Sequence, residues 1–252
     1  MMDETNIDAA KIGVVGAGSW GTVLADLLAS KGYGVDLWVF EKDVRDQIQD
    51  HRENRVFLPG ITLSDNLNPS NDLKKVVSGK DLVLIVVPSH VMRETVEQLA
   101  DAIPDTAIVV SASKGIEIKT HLTMTGILRE VLPGIAGNQL AALSGPSFAR
   151  EVAQQVPTVI TVASSDPKVT QVVQNIFSTP YFRVYTNDDT LGVELGGATK
   201  NVIAIAAGII DGLGLGLNTR AALITRGLTE IRRLGVALGA NPRTFTGLAG
   251  IG

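Results

Sequence analysis

Apolar residues along the chain follow two rhythms. Short runs rich in β-branched residues, at 11–15, 35–39, 82–87, 107–111, 139–143 and 158–163, predict strands. Several are apolar at nearly every position, as expected of strands covered on both faces. Between them, residues 21–30, 91–102, 122–131 and 167–177 carry apolar side chains at helical spacing. Strand alternating with helix implies βαβ units with right-handed crossovers. The expected class is therefore α/β, with a doubly wound, mainly parallel sheet. A last extended run, 182–185, closes this part of the chain.

After Asn187-Asp188-Asp189 the rhythm changes. Residues 191–210 and 219–234 predict two long helices, separated by Gly212-Leu213-Gly214-Leu215-Gly216, with Asn218 or Thr219 placed to cap the second. A domain boundary is expected near residue 188, giving an α/β domain over 1–188 and an all-α domain over 189–252. The second is small for a core of its own. Its support is expected from the first domain, from a second copy in a homodimer, or from further sequence. The most apolar stretch, 202–210, lies between Lys200 and Asp211. It is shorter than the roughly 20 residues a bilayer requires, so it predicts a buried helix.

Composition narrows the function classes. The 252 residues are 45% hydrophobic and 19% charged, a globular balance rather than a disordered one. A net charge of −4 gives no basic field for nucleic acid. The chain has no cysteine, which removes disulfides, thiolate metal sites and a cysteine nucleophile. Three scattered histidines, His51, His90 and His121, give no expectation of a metal centre. Residues 1–11 are polar and acidic, unlike a signal peptide, and a cytoplasmic location is expected.

Candidate chemistry begins with Gly16-Ala17-Gly18-Ser19-Trp20-Gly21, a G-x-G-x-x-G turn directly after the first strand. Gly16 permits a tight turn, Gly18 lets backbone approach a pyrophosphate, and Gly21 lets the following helix pack on the strand. The helix N-terminus then offers N–H groups and a partial positive charge to the phosphates. Strand, turn, helix and second strand come in the required order, so dinucleotide binding is expected. The second strand ends at Phe40-Glu41, and an acidic residue there accepts from a ribose 2′-hydroxyl and repels a 2′-phosphate. NAD is therefore preferred; Lys42, just beyond, keeps NADP open. Lys200 interrupts an apolar helix, where burial lowers an ammonium's pKa; a lysine snorkelling to the surface is the plainer alternative.

Seven motifs in order carry a family resemblance. They are the glycine turn, Val87-Pro88-Ser89, Ser113-Lys114-Gly115, Ser144-Gly145-Pro146-Ser147-Phe148-Ala149, Ala198-Thr199-Lys200-Asn201-Val202, the run from Asn218 to Gly227, and Gly247-Leu248-Ala249-Gly250-Ile251-Gly252. From about residue 11 to its end, the chain resembles the NAD(P)-dependent sn-glycerol-3-phosphate dehydrogenases, whose first domain is a Rossmann fold. The resemblance implies interconversion of dihydroxyacetone phosphate and sn-glycerol 3-phosphate, the precursor of glycerophospholipids. It implies Lys200 as general acid and base. Substrate contacts would come from Lys114, Gly145, Ser147, Lys200 and Asn201. Cofactor contacts would come from Gly16, Gly18, Ser19, Trp20, Gly21, Phe40, Glu41, Lys114 and Ala149. Ser147 has a structural alternative as a helix cap, and Trp20 as core.

Two departures accompany the match. Phe40-Glu41 looks like the NAD-using eukaryotic members rather than the bacterial ones. In the family the last motif continues into an aspartate and then an Arg-Asn pair for the substrate phosphate, which have no counterpart before Gly252. The expectation is NAD(H) binding with weak turnover or none. Alternative readings are a related two-domain dehydrogenase with another substrate and a non-catalytic NAD-binding fragment.

Overall fold

A computed structural model describes residues 7–250. Residues 1–6 of the polar N-terminus, and Ile251 and Gly252 of the last motif, lie outside the described residues. The chain opens with β1 (Ile12–Val15), α1 (Ser19–Ser30) and β2 (Val35–Trp38), a first βαβ unit. Next come α2 (Lys42–His51), β3 (Leu67–Ser70) and α3 (Leu73–Val77), three elements that the apolar rhythm does not signal. The reason is local. Only Val44 and Ile48 of α2 are buried. β3 reads Leu-Asn-Pro-Ser, and tertiary pairing with β2 makes it a strand. Its Pro69 is tolerated because β3 is the sheet edge.

The chain continues through β4 (Leu82–Ile85), α4 (Met92–Leu99), β5 (Ile108–Ser111), α5 (Met124–Val131) and β6 (Leu140–Ser144). Then follow α6 (Ala149–Ala153), β7 (Thr158–Ala163), α7 (Pro167–Phe177) and β8 (Phe182–Asn187). One eight-stranded sheet results, in the order β3-β2-β1-β4-β5-β6-β7-β8. Every neighbouring pair is parallel except β6 and β7, which run antiparallel. Only the five-residue α6 lies between them, so the chain turns back beside β6 and carries β8 with it. Strand order reverses between β1 and β4, the place where ligands bind at the carboxyl ends of parallel strands.

Both faces of the sheet are covered. Ile12, Val14, Leu82 and Leu84 pack with Leu24 and Leu28 of α1 and with α7, while Val15, Val83 and Ile85 pack with Met92 and Val96 of α4 and with α5. This explains why the central strands are apolar throughout.

Two long helices follow, α8 (Thr190–Gly212) and α9 (Gly216–Ala237). Asp189 caps α8, accepting from the Gly192 N–H at 2.9 Å, and also accepts from the Asn241 N–H at 2.9 Å and the Thr244 hydroxyl at 2.6 Å. The turn between the helices uses Gly214 and Gly216 at φ 66° and 82°, values that favour glycine. Leu215 occupies the position before α9, so Asn218 and Thr219 lie within its first turn instead of capping it.

The burial expected for residues 202–210 is not found. Gly192 to Gly197 of α8 are buried, Val193 against Ala142 and Ala163 of the sheet and Leu195 against Ile231 of α9 and Phe245, but Val202, Ile205 and Ile209 are 69%, 67% and 57% exposed. Beyond Gly197 the helix leaves the sheet, and it runs on beside α9 and the loop after β6. By length and composition α8 is also apolar enough to cross a membrane, with mean hydropathy 1.4.

Candidate active site

The glycine turn divides its three positions by what surrounds them. Gly16 sits at φ 114°, and a Cβ there would lie 2.4 Å from the Val86 carbonyl oxygen. A Cβ on Gly21 would lie 1.9 Å from the Gly16 carbonyl oxygen, so α1 packs straight onto the turn. Around Gly18, by contrast, an added Cβ would have nothing within 4 Å. Gly18 also precedes α1 with no side chain capping it, which leaves the first-turn N–H groups for an anion. The turn is buttressed by Asn54, fully buried, whose amide donates to the Ala17 carbonyl at 2.9 Å and to the Thr22 hydroxyl at 2.8 Å. Asn54 also accepts from the Phe57 N–H at 3.0 Å, bringing Phe57 over the turn. Nothing in the spacing of residues 52–66 announces this role.

Gly16, Ala17, Gly18, Trp20, Phe40 and Glu41 line a cleft of about 690 Å³, within the range of ligand sites. Opposite them stand Val91, Glu94, Thr95 and Gln98 of the α4 region, which sequence reasoning did not single out. The pyrophosphate, ribose and ring systems of a dinucleotide fit this combination of bare helix terminus and apolar wall. Phe40 is 76% exposed and meets Trp38 edge to face at 5.9 Å between centroids. The Glu41 carboxylate does not cap α2, and no arginine lines the cleft among the described residues. Two further expected cofactor contacts, Ser19 and Ala149, are not among the residues lining this cleft, although Ser19 opens α1 between Gly18 and Trp20. Ser19 gives its hydroxyl to the Phe57 carbonyl at 2.5 Å, and Ala149 packs against the main core at the start of α6. Trp20 serves both ends, lining the cleft and packing toward Phe182 at 6.4 Å.

A second cleft, about 410 Å³, adjoins the first. Lys114, Gly145, Ser147, Lys200, Asn201 and Arg220 are among its lining residues, and Lys114 and Ser147 line both clefts. The loops after β5 and β6 supply Lys114, Gly145 and Ser147; α8 supplies Lys200 and Asn201; α9 supplies Arg220. Lys200 Nζ donates to the Gly145 carbonyl at 3.0 Å. Gly145 adopts φ 157°, and a Cβ there would lie 3.0 Å from Ile160 Cα. α8 comes this close because Gly197 has no side chain; a Cβ there would lie 2.6 Å from Ser144 Oγ. Ser147 does not cap α6, where Phe148 holds the cap position. Its hydroxyl reaches the Gly145 carbonyl at 3.3 Å.

Electrostatics set this cleft apart. Burial first, and repulsion from Lys114 second, lower the pKa of Lys200 to about 8. Lys114 is open to the cleft, yet the protein around it also depresses its pKa. Two ammonium groups facing one cavity favour an anion between them. Arg220, which also pairs with Asp211 at 3.3 Å, adds a third cation that the sequence offered within a motif but without a role.

Comparison with known proteins agrees with the geometry. Residues 11–170 match the family model described as NAD-dependent glycerol-3-phosphate dehydrogenase N-terminus, and residues 189–252 match its C-terminus counterpart. A glycerol-3-phosphate dehydrogenase [NAD(P)+] of Citrifermentans bemidjiense is 58% identical over 244 residues, covering 97% of this chain and 73% of its own length. The protein of that name from Syntrophobacter fumaroxidans is 56% identical, covering 96% of this chain and 71% of its own. Among solved structures, glycerol-3-phosphate dehydrogenase from Coxiella burnetii superposes with a TM-score of 0.91 at 41% identity, over 97% of this chain and 74% of that one. The Saccharomyces cerevisiae enzyme gives 0.85 at 33% identity, over 96% and 75%. With both family models matched in order, this chain belongs to the NAD(P)-dependent glycerol-3-phosphate dehydrogenases.

Proposed function

We propose that the chain interconverts dihydroxyacetone phosphate and sn-glycerol 3-phosphate with NAD(H), supplying glycerol 3-phosphate for glycerophospholipid synthesis. The observation that carries this is the meeting of a dinucleotide-shaped cleft and a cationic cleft at Lys114 and Ser147. When bound, the nicotinamide supplies or takes up the hydride. The chain's own residues handle charge and proton. Lys200, with a pKa of about 8, gives a proton to the developing alkoxide in reduction and takes it back in oxidation. Its bond to the Gly145 carbonyl aims the ammonium into the cleft. Lys114 and Arg220 offset the substrate's phosphate charge, and Asn201 offers an amide to its hydroxyls.

Glu41 favours NAD over NADP by repelling a 2′-phosphate. In this reading residues 1–188 bind the cofactor and 189–252 supply the helical side of the substrate site, in the cytoplasm. It also pairs two copies of the chain; sedimentation is expected to give a dimer mass, and a monomer mass would remove that part. The reaction itself is tested by NADH oxidation with dihydroxyacetone phosphate against unphosphorylated dihydroxyacetone. Oxidation that requires the phosphate is expected; equal rates, or none with either, would sink the assignment.

A further inference from the structure

Lys114 stands on the connection between β5 and α5, residues 112–123, which contains no helix and only the isolated bridge Ile116–Thr123. A connection of this length carries considerable backbone freedom, and an ammonium on it acts at a fixed point only if that freedom is removed. Three residues beyond Lys114, Glu117 removes it. The Glu117 N–H donates to the Leu122 carbonyl and its carbonyl accepts from the His121 N–H, both at 2.9 Å. Its carboxylate accepts from the Thr120 hydroxyl and, at 2.9 Å each, from Nε and Nη2 of Arg93. The other edge of that guanidinium reaches Glu130 of α5 at 3.1 Å. Between Lys114 and Glu117, Gly115 at φ 148° lies against Ser89, whose Cβ a new Cβ would approach to 2.5 Å.

We propose that Arg93 and Glu117 form a positioning clamp that holds Lys114 at the junction of the two clefts and ties it to the wall of the cofactor cleft. The inference rests on the reading of Lys114 given above. Arg93 belongs to α4, whose neighbouring residues Glu94, Thr95 and Gln98 line the cofactor cleft, while Arg93 itself turns away from it into a separate hollow with Glu117 and Thr120. The wall that meets the dinucleotide and the loop that presents Lys114 are thus joined through one two-pronged, charge-assisted contact. The side chains are 25% and 17% exposed, which separates this pair from an ordinary surface ion pair.

Two affinities test the clamp: that of NADH for the protein, by fluorescence, and that of sn-glycerol 3-phosphate for the NADH-saturated protein. Arg93→Ala and Glu117→Gln are each measured alone and combined with Lys114→Ala. Each clamp variant is expected to weaken glycerol 3-phosphate binding about fivefold to tenfold, the scale of coupled residues. In the Lys114→Ala background the same substitutions are expected to add nothing. Glu117→Gln keeps the shape of the loop residue should Arg93→Ala fold poorly. If Lys114→Ala weakens binding and the clamp substitutions multiply that loss undiminished, the clamp does not act through Lys114 and the inference is overturned. If Lys114→Ala alone changes neither affinity, the reading of Lys114 falls, and the clamp with it.

Discussion

Lys200 Nζ lies 3.0 Å from the carbonyl oxygen of Gly145, so α8 is pinned to the loop after β6 by the side chain proposed to move the proton. The carbonyl fixes the ammonium while burial and Lys114 weaken its hold on the proton. This pairing makes a lysine usable as an acid and a base near neutral pH.

The pH profile should show it. For dihydroxyacetone phosphate reduction Lys200 must be protonated, so kcat/KM is expected to fall as pH rises through about 8, while glycerol 3-phosphate oxidation rises over the same interval. A bound phosphate raises the lysine's pKa, so the limb in kcat should lie at higher pH than that in kcat/KM. Lys200→Arg, protonated throughout, should lose that limb and slow the reaction by about 10²-fold or more. An unchanged profile in Lys200→Arg would exclude Lys200 as the titrating group.

The glycine turn gives a paired prediction. Gly18→Ala meets open space and should keep stability within about 0.5 kcal/mol of wild type, while weakening NADH binding about tenfold or more. Gly21→Ala places a carbon 1.9 Å from the Gly16 oxygen and should destabilise the fold by about 1–3 kcal/mol or more. Thermal melts with and without NADH separate the two. Equal melting losses in both variants would refute the division of roles.

Glu194 provides a test of stability. It is buried, accepts from the Thr125 N–H at 2.8 Å and from the Thr125 hydroxyl, and links α8 to α5. Burial raises its pKa despite those bonds. A carboxyl whose folded pKa is raised holds its proton more tightly when folded. Its stabilising contribution is therefore full at pH below the unfolded value and is lost as pH rises through the folded one. Glu194→Gln, which does not titrate, should gain in melting temperature relative to wild type as pH is raised from 4 to 8. A constant difference over that range would show that Glu194 titrates alike in both states.

Cofactor choice tests Glu41. Glu41→Arg should shift the ratio of NADH to NADPH affinity toward NADPH by about tenfold or more, because a repulsion is exchanged for a charge-assisted contact. An unaltered ratio would assign the preference to other residues.

Legibility in the sequence followed the source of each element's stability. Strands β1, β4, β5 and β7 are recognisable because burial on both faces makes most of their positions apolar. The glycine turn is recognisable because two close backbone approaches, at Gly16 and Gly21, and an open face at Gly18 fall within six residues. β3 is not, because the pairing that forms it belongs to β2. Phe57 and Gln98 reach the cofactor cleft, and Asn54 supports the glycine turn beneath it, through tertiary packing that no spacing records. Lys200 stands out as a charge in an apolar helix, but its Gly145 partner lies 55 positions away. The burial expected at residues 202–210 followed from hydropathy alone, whereas only the part of α8 before Lys200 rests on the sheet.

Deuterium transfer from NADH labelled at C4 to dihydroxyacetone phosphate is the most direct test of the central claim, because it registers even slow turnover. The protein should produce sn-glycerol 3-phosphate deuterated at C2, and Lys200→Ala should do so about 10²-fold more slowly or less while binding NADH as tightly as wild type. No labelled product from the wild-type chain, or equal production by Lys200→Ala, would contradict the account.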